Sequence, residues 1–249
     1  MPFCYKLFNK QRRGCTYNFK AEKNGKIVLF DHKTRFSFMG YRRINRYFFP
    51  AGLERKMMAM KKKYCIPLCT IEPGETVVEV GANVGEFTLM AAQQAAKVFS
   101  FEPDPKCFDC LRENTQNLTN VEVVNQAASK ANTSETFYLS SEDADSSLIQ
   151  PKIYSEKIVI RTLRLDSWME SKGLSTVDFL KIEAEGAEME VLEGLGDAIS
   201  QVQKVSVDGG PERYGEPTSH EVDLFLQSKG FNTSVVEYHV YAWRGDNIK

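Results

Sequence analysis

From residue 71 onward the chain alternates short apolar runs with helical stretches, and few folds accommodate that alternation. "TVVEV" reads as a strand, Gly85 to Ala96 as a helix, "KVFSF" as a strand, Pro105 to Gln116 as a helix and "VEVVN" as a strand. Two more strand-like runs, "ETFYLS" and "KIVIRTL", follow with no helix between them, which predicts a hairpin-like insertion. The alternation then resumes with "VDFLKI", a helix from Glu188 to Leu195, "KVSV", a helix from Ser219 to Lys229, and "FNTSVVEY" with "HVYAW" at the end. Repeated strand-helix-strand units predict an α/β fold, a doubly wound, mostly parallel sheet with helices on both faces. Ligands of such sheets bind beyond the carboxyl ends of the strands, so the residues just after each strand are the candidates for chemistry.

The first seventy residues read differently. "KIVLFDH" and "RFSFM" suggest two strands, and "LERKMMAMKKKY" a helix whose methionines fill core space. No linker rich in Pro, Gly or Ser separates this part from the rest, so residues 1–70 are expected to pack as a lid or platform on a main domain of residues 71–249. Charge divides at the same place. Residues 1–70 hold 17 Lys and Arg against 3 Asp and Glu, while the remainder holds 15 against 30. A basic head on an acidic body suits an anionic acceptor, or simple neutralisation of the body by the folded head. No apolar run approaches the length of a membrane span and the start lacks a signal-like apolar core, so a cytoplasmic location is expected. Cys65, Cys69, Cys107 and Cys110 have spacings that a four-thiolate zinc site could use, but Cys107 and Cys110 fall inside a predicted helix, where small apolar residues pack.

The turn after the first main-domain strand reads Gly81-Ala82-Asn83-Val84-Gly85. Glycines let the backbone pass close to a ligand, and the helix start offers unpaired N–H groups with a partial positive charge. The dinucleotide fingerprint requires a glycine where Asn83 stands, which argues against a nicotinamide-dependent oxidoreductase. Glu79, at the strand end, also suits a zwitterionic or cationic ligand better than a pyrophosphate. The next strand ends at Glu102, where a carboxylate can accept from both ribose hydroxyls of an adenosine-bearing ligand.

"EVGANVGEFT", "FEPDP", "VEVVNQAAS", the serine pair before "LIQP", "LDSW" and above all "VDFLKIEAEGAEMEVLEG" resemble the FkbM family of S-adenosylmethionine-dependent methyltransferases, in order from about Ile71 to Gly196. The resemblance implies a class I methyltransferase, Rossmann-like fold, S-adenosylmethionine as cofactor, and O-methylation of sugars in glycans or of hydroxyls in natural products. It assigns Glu79, Gly81, Asn83 and Gly85 to the methionine end of the cofactor, with Thr88 in support. Glu102 then holds the ribose, Asn125 lies near the adenine, and Ser146 and Ser147 match the family's serine motif. The family commonly carries aspartate where Glu79 and Glu183 stand here; the charge is kept on a longer arm.

Methyl transfer to a neutral hydroxyl requires alignment and a proton acceptor. Glu183 ends "VDFLKI" and Asp208 ends "KVSV", so adjacent strand ends bring two carboxylates to one rim. The pair could hold a divalent cation such as magnesium, which lowers a hydroxyl's pKa. His220 is a second candidate for the base, or else belongs to a helix cap with Ser219. The expected acceptor is a sugar, in a glycan or carried on a phosphate or nucleotide, or a similar small molecule. Arg42, Arg43, Arg46 and Lys61 to Lys63 would recruit an anionic one. A nucleic-acid-binding module or nucleic-acid methyltransferase is the alternative, since basic and aromatic residues interleave in "FMGYRRINRYFF", although the acidic body opposes wrapping of a polyanion.

Overall fold

A seven-stranded sheet organises the chain in the computed structural model, which describes residues 18–22, 25–31, 34–40, 53–140 and 146–245. Its strands are β4 (Thr76–Val80), β5 (Lys97–Phe101), β6 (Val121–Val124), β10 (Val177–Ile182), β11 (Val202–Asp208), β12 (Asn232–Val236) and β13 (His239–Trp243), in the spatial order β12-β13-β11-β10-β4-β5-β6. The pairs from β11 to β6 are parallel, and β13 runs antiparallel to both β11 and β12. The chain moves outward from β4 to β6 and then crosses back to lay β10 on the other side of β4. That reversal leaves a cleft above β4 and β10, where open α/β sheets bind ligands. The central strands are buried along most of their length, which is why they read as apolar runs rather than as alternation.

Helices cover both faces. On one, Val78, Val80, Leu180, Ile182, Val205 and Val207 pack under α4 (Leu165–Lys172), α5 (Glu188–Glu193) and α6 (Ser219–Ser228), with Trp168 edge-on to Phe99 and Phe101. On the other, Val77, Val98 and Phe179 meet α2 (Glu86–Ala91) and Tyr64, the last residue of α1 (Leu53–Tyr64). The expected insertion is present: β8 (Thr133–Leu139) and β9 (Glu156–Leu163) pair antiparallel, and β7 (Ala127–Ala128) adds to β9.

The head carries one strand more than its sequence suggests, a meander of β1 (Asn18–Ala21), β2 (Lys26–Asp31) and β3 (Thr34–Met39). Ile27, Leu29, Phe36 and Phe38 pack on Val84 and on Cys107 and Cys110 of α3 (Pro105–Thr115). Met57 and Met60 are packed in part as expected, while Met58 is exposed. Cys107 and Cys110 are thus core residues. Cys65 and Cys69 sit in a different cluster beside β11, where burial pushes the Cys69 thiol up to about 12. The two cysteine pairs do not converge. Arg42, Arg43 and Arg46, the aromatics Tyr47 to Phe49, and Cys4 and Cys15 lie outside the described residues.

Candidate active site

The turn after β4 is shaped by its neighbours in the protein. Gly81 N and Ala82 N both donate to Phe101 O, at 3.0 and 2.9 Å, drawing the chain over the end of β5. Gly81 has φ +76°, and a Cβ there would lie 1.9 Å from Glu183 O, so only glycine lets β4 and β10 end side by side. Asn83 is also left-handed, at φ 52°, a conformation asparagine tolerates. Glu102 fixes it. One carboxylate oxygen accepts from Asn83 N at 2.6 Å and the other from Asp104 N at 2.8 Å, which aims a carboxylate into the cleft beside the turn.

Glu79 stands directly beneath. Thr88 Oγ1 donates to it at 2.6 Å and Ser100 Oγ at 3.0 Å, and Lys181 Nζ lies 3.7 Å away. Burial raises the Glu79 carboxyl's pKa, opposed by Lys181 and the two hydroxyls. Lys181, 1% exposed near the end of β10, donates to Gly81 O at 2.6 Å and Val80 O at 3.3 Å, and pairs with Glu183 at 3.1 Å. The lysine ties the base of the turn to the end of β10.

The rim differs from the expected cation site. Lys63, from the last turn of α1, lies between the two carboxylates, 2.9 Å from Glu183 Oε1 and 2.6 Å from Asp208 Oδ2. Burial favours loss of the lysine's proton, but Glu183 and Asp208 outweigh it and raise the pKa above the ordinary lysine range. Burial likewise favours protonation of Glu183, and Lys181 and Lys63 outweigh it, holding that carboxyl well below its usual range. An ammonium therefore stands where a divalent ion was expected. Among the described residues no group of three or more His, Cys, Asp or Glu is arranged to hold a metal.

The loop after β10 is held from below by Glu188, which accepts from Ala184 N at 3.1 Å, Gly186 N at 2.9 Å and Thr218 Oγ1 at 2.8 Å. Arg213 donates to Gly186 O and forks onto Glu190, joining that loop to the one after β11.

Together these elements enclose a cleft of about 400 Å³ at the carboxyl ends of β4, β5, β10 and β11. Glu79, Gly81, Asn83, Glu102, Ser146, Glu183 and Asp208 all line it. Gly85 does not, and serves the chain instead: its Cβ would come within 2.9 Å of Leu111. Thr88 lies behind Glu79. Asn125 is turned away, its amide donating to the carbonyls of Glu102 and Pro103, and the neighbouring Gln126 lines the cleft in its place. Ser147 is buried, donating to Glu185 O at 2.6 Å. His220 is exposed on the first turn of α6 and does not line the cleft. The N-cap position of α6 is Thr218, with its hydroxyl on Glu188, and Ser219 is the first helical residue.

Lys181, Lys56, Phe137 and Leu148 line the cleft without having been candidates in the sequence, while Lys63 stood there only as one of three acceptor-recruiting lysines and Met60 only as core filling. The signal for Lys181 was there, a lone lysine inside "VDFLKI". For Lys63 the run was legible but not the member of it, because three consecutive lysines offer no way to choose one.

The lining suits an adenosine-bearing sulfonium. Phe101, Ala127, Phe137 and Leu148 give the cleft its apolar lining, and Glu79, Gly81, Asn83 and Glu102 polar lining. A parallel sheet with one antiparallel strand near its edge, and this cleft at its reversal point, are the features of a class I, S-adenosylmethionine-dependent methyltransferase. The profile of the Methyltransferase FkbM domain matches residues 79–233, and the chain belongs to that family. It is 25% identical over 198 residues to the 2-O-methyltransferase NoeI of Sinorhizobium fredii, covering 72% of this chain and 79% of the relative. It is 26% identical to the methyltransferase sdnD of Sordaria araneosa, covering 68% of this chain and 78% of the relative. To the hexuronic acid methyltransferase AglP of Haloferax volcanii it is 28% identical, over 55% of this chain and 56% of the relative.

Proposed function

We propose that the protein transfers a methyl group from S-adenosylmethionine to a hydroxyl of a sugar or similar small acceptor. The observation that carries this reading is the pair of carboxylates, Glu183 and Asp208, facing the same cleft as Glu102. The names of two relatives, a 2-O-methyltransferase and a hexuronic acid methyltransferase, support it.

Bound S-adenosylmethionine would supply an electrophilic methyl on a cationic sulfur. Glu102 would accept from the ribose hydroxyls, the apolar lining of Phe101 and Phe137 would take the adenine, and the turn at Gly81 to Asn83 would face the methionine end. In this reading Asp208 takes the proton that the acceptor hydroxyl gives up as it is methylated. One lysine contacts Asp208, whereas Lys63 and Lys181 both contact Glu183. Lys56 and Met60 of α1 line the cleft, which supports the head as an acceptor platform. An anionic acceptor would draw on Lys56. Among the described residues no helix is long and apolar enough to cross a membrane.

Calorimetry tests the cofactor half of the proposal. Wild type should bind S-adenosylmethionine, and Glu102→Ala should bind it at least about tenfold more weakly, the loss of one charge-assisted contact. Unchanged affinity in the variant removes the assignment. Tritium transfer from labelled cofactor to glucuronic acid or a methyl glycoside, followed by NMR of the product, tests the hydroxyl half, and methylation of the glucuronate carboxylate in place of a hydroxyl would overturn it.

A further inference from the structure

The geometry points to Lys63 as a built-in replacement for a divalent cation, an ammonium donated by the head helix that docks the acceptor oxygen between the ends of β10 and β11. The inference rests on the function proposed above for its purpose, though not for its test. Lys63 touches both carboxylates that would ligate a metal, at 2.9 and 2.6 Å, and 38% of its side-chain surface remains open. An ammonium has three N–H donors. Glu183 and Asp208 take two, and the third is available to an oxygen entering the cleft. The ring of Tyr64, 4.9 Å from the Lys63 nitrogen, flanks the ammonium on the protein side.

Glu183 is already paired from below by the buried Lys181 at 3.1 Å, and Lys181 also lies 3.7 Å from Glu79. With Lys63 in place, both rim carboxylates have an ammonium partner within the cleft, so neither is left open to a metal. When the acceptor hydroxyl passes its proton to Asp208, the cluster gains the charge that the donor loses, so the total within the cleft is unchanged. Lys63 also explains how the head contributes to the chemistry. Its backbone belongs to α1 and its charge to the strand ends.

Manganese binding followed by electron paramagnetic resonance tests the inference without an acceptor. Wild type and Lys63→Arg should show no Mn²⁺ site that Asp208→Asn abolishes. Lys63→Ala should gain one, at least about tenfold tighter than any wild-type binding, and Lys63→Ala/Asp208→Asn should lose it again; near-UV circular dichroism confirms that each variant is folded. Uptake of Mn²⁺ by wild type at this pair, or no gain in Lys63→Ala, overturns the inference. On any hydroxyl acceptor that is turned over, wild-type transfer should be indifferent to EDTA. Lys63→Ala should lower kcat about a hundredfold with KM for S-adenosylmethionine unchanged, the typical effect of removing one preorganised donor. Transfer that stops with EDTA and returns with Mg²⁺ overturns it. Calorimetry with S-adenosylmethionine keeps the two ideas apart, since failure of wild type to bind it removes the proposed function whatever manganese does.

Discussion

His239 lies directly behind the site, and its surroundings exclude a proton. Its Nε2 meets Ser206 Oγ at 2.8 Å and its ring packs edge-on to Tyr64. Burial, then the positive charge of Lys63 and to a lesser degree that of Lys181, push its pKa down to about 3, against an opposing pull from Glu183. A histidine depressed in the folded state leaves stability intact above its unfolded pKa, near 6.5, and erodes it as pH falls toward 3, because only the unfolded chain takes the proton. Urea unfolding should show wild type losing about 2 kcal/mol more than His239→Gln between pH 7.5 and pH 5.0. Equal losses in the two proteins would mean that His239 is not buried neutral. Gly81 supports a second prediction at this scale. Gly81→Ala must relieve a Cβ placed 1.9 Å from Glu183 O and also adopt positive φ, so it should destabilise the fold by about 3 kcal/mol or more. It should also shift Glu183 enough to weaken cofactor binding. A variant of wild-type stability would show that β4 and β10 can separate at no cost.

Glu188 is a single buried side chain that joins three elements: the loop after β10, its own helix α5, and the start of α6 through Thr218. Burial raises its pKa, and the hydrogen bonds from Thr218 and the loop amides oppose the rise. Glu188→Gln keeps an oxygen for the amides and should cost about 1 kcal/mol or less, whereas Glu188→Ala strands three donors and should cost about 3 kcal/mol. Similar losses by chemical denaturation in both variants would reduce Glu188 to a packing residue. This part of the chain also shows what sequence could convey about the elements. The buried strands β4, β5, β10 and β11 announce themselves as apolar runs, and the β8–β9 hairpin as two runs with no helix between them. Element ends are less legible because distant residues set them. The helix expected to reach Ala96 stops at Ala91, and Asn120, from beyond the next strand and helix, donates to the carbonyls of Ala92 and Ala95. The helix expected to reach Leu195 stops at Glu193, where a Cβ on Gly194 would strike Ser129 O at 2.2 Å. Helix α4, at eight residues, and strand β7, at two, are too short for a period to define them. Within the site, Glu102 and the rim carboxylates follow from strand ends. Asn125 and Ser147 sit beside the right strand end and the right motif, but their side chains serve backbone groups, which spacing alone does not reveal.

At the scale of the whole molecule, the charge asymmetry is plain in composition, but the docking of the head is not, because its contacts join residues far apart in sequence. Lys63 reaches Glu183 and Asp208, and Lys26 reaches Glu113 at 2.5 Å. The second contact is also made specific by neutral bonds: Ser37 Oγ donates to Glu113 at 2.9 Å, and Ser37 N to Asn114 Oδ1 at 2.7 Å. Burial would raise the Glu113 carboxyl's pKa, but the bonds from Lys26 and Ser37 outweigh it and lower it. The described part of the head is thus held by apolar packing on α3 and by the pairing of Lys26 and Lys63 with carboxylates of a body that has 30 acidic residues against 15 basic. The two respond differently to salt. Screening weakens charge attraction as the Debye length falls from about 10 Å at 0.1 M to a few ångströms near 1 M, and leaves apolar packing intact or slightly strengthened. Raising NaCl from 0.05 to 0.5 M should therefore lower the thermal midpoint, by roughly 2–6 °C if screening removes about 1–2 kcal/mol in total. Lys26→Ala/Glu113→Ala should start lower and fall less, since part of the screened attraction has already gone. Scanning calorimetry decides between the two contributions: a midpoint that holds steady or rises with salt, equally in both proteins, would mean that packing alone seats the head and that its charge is there for a ligand.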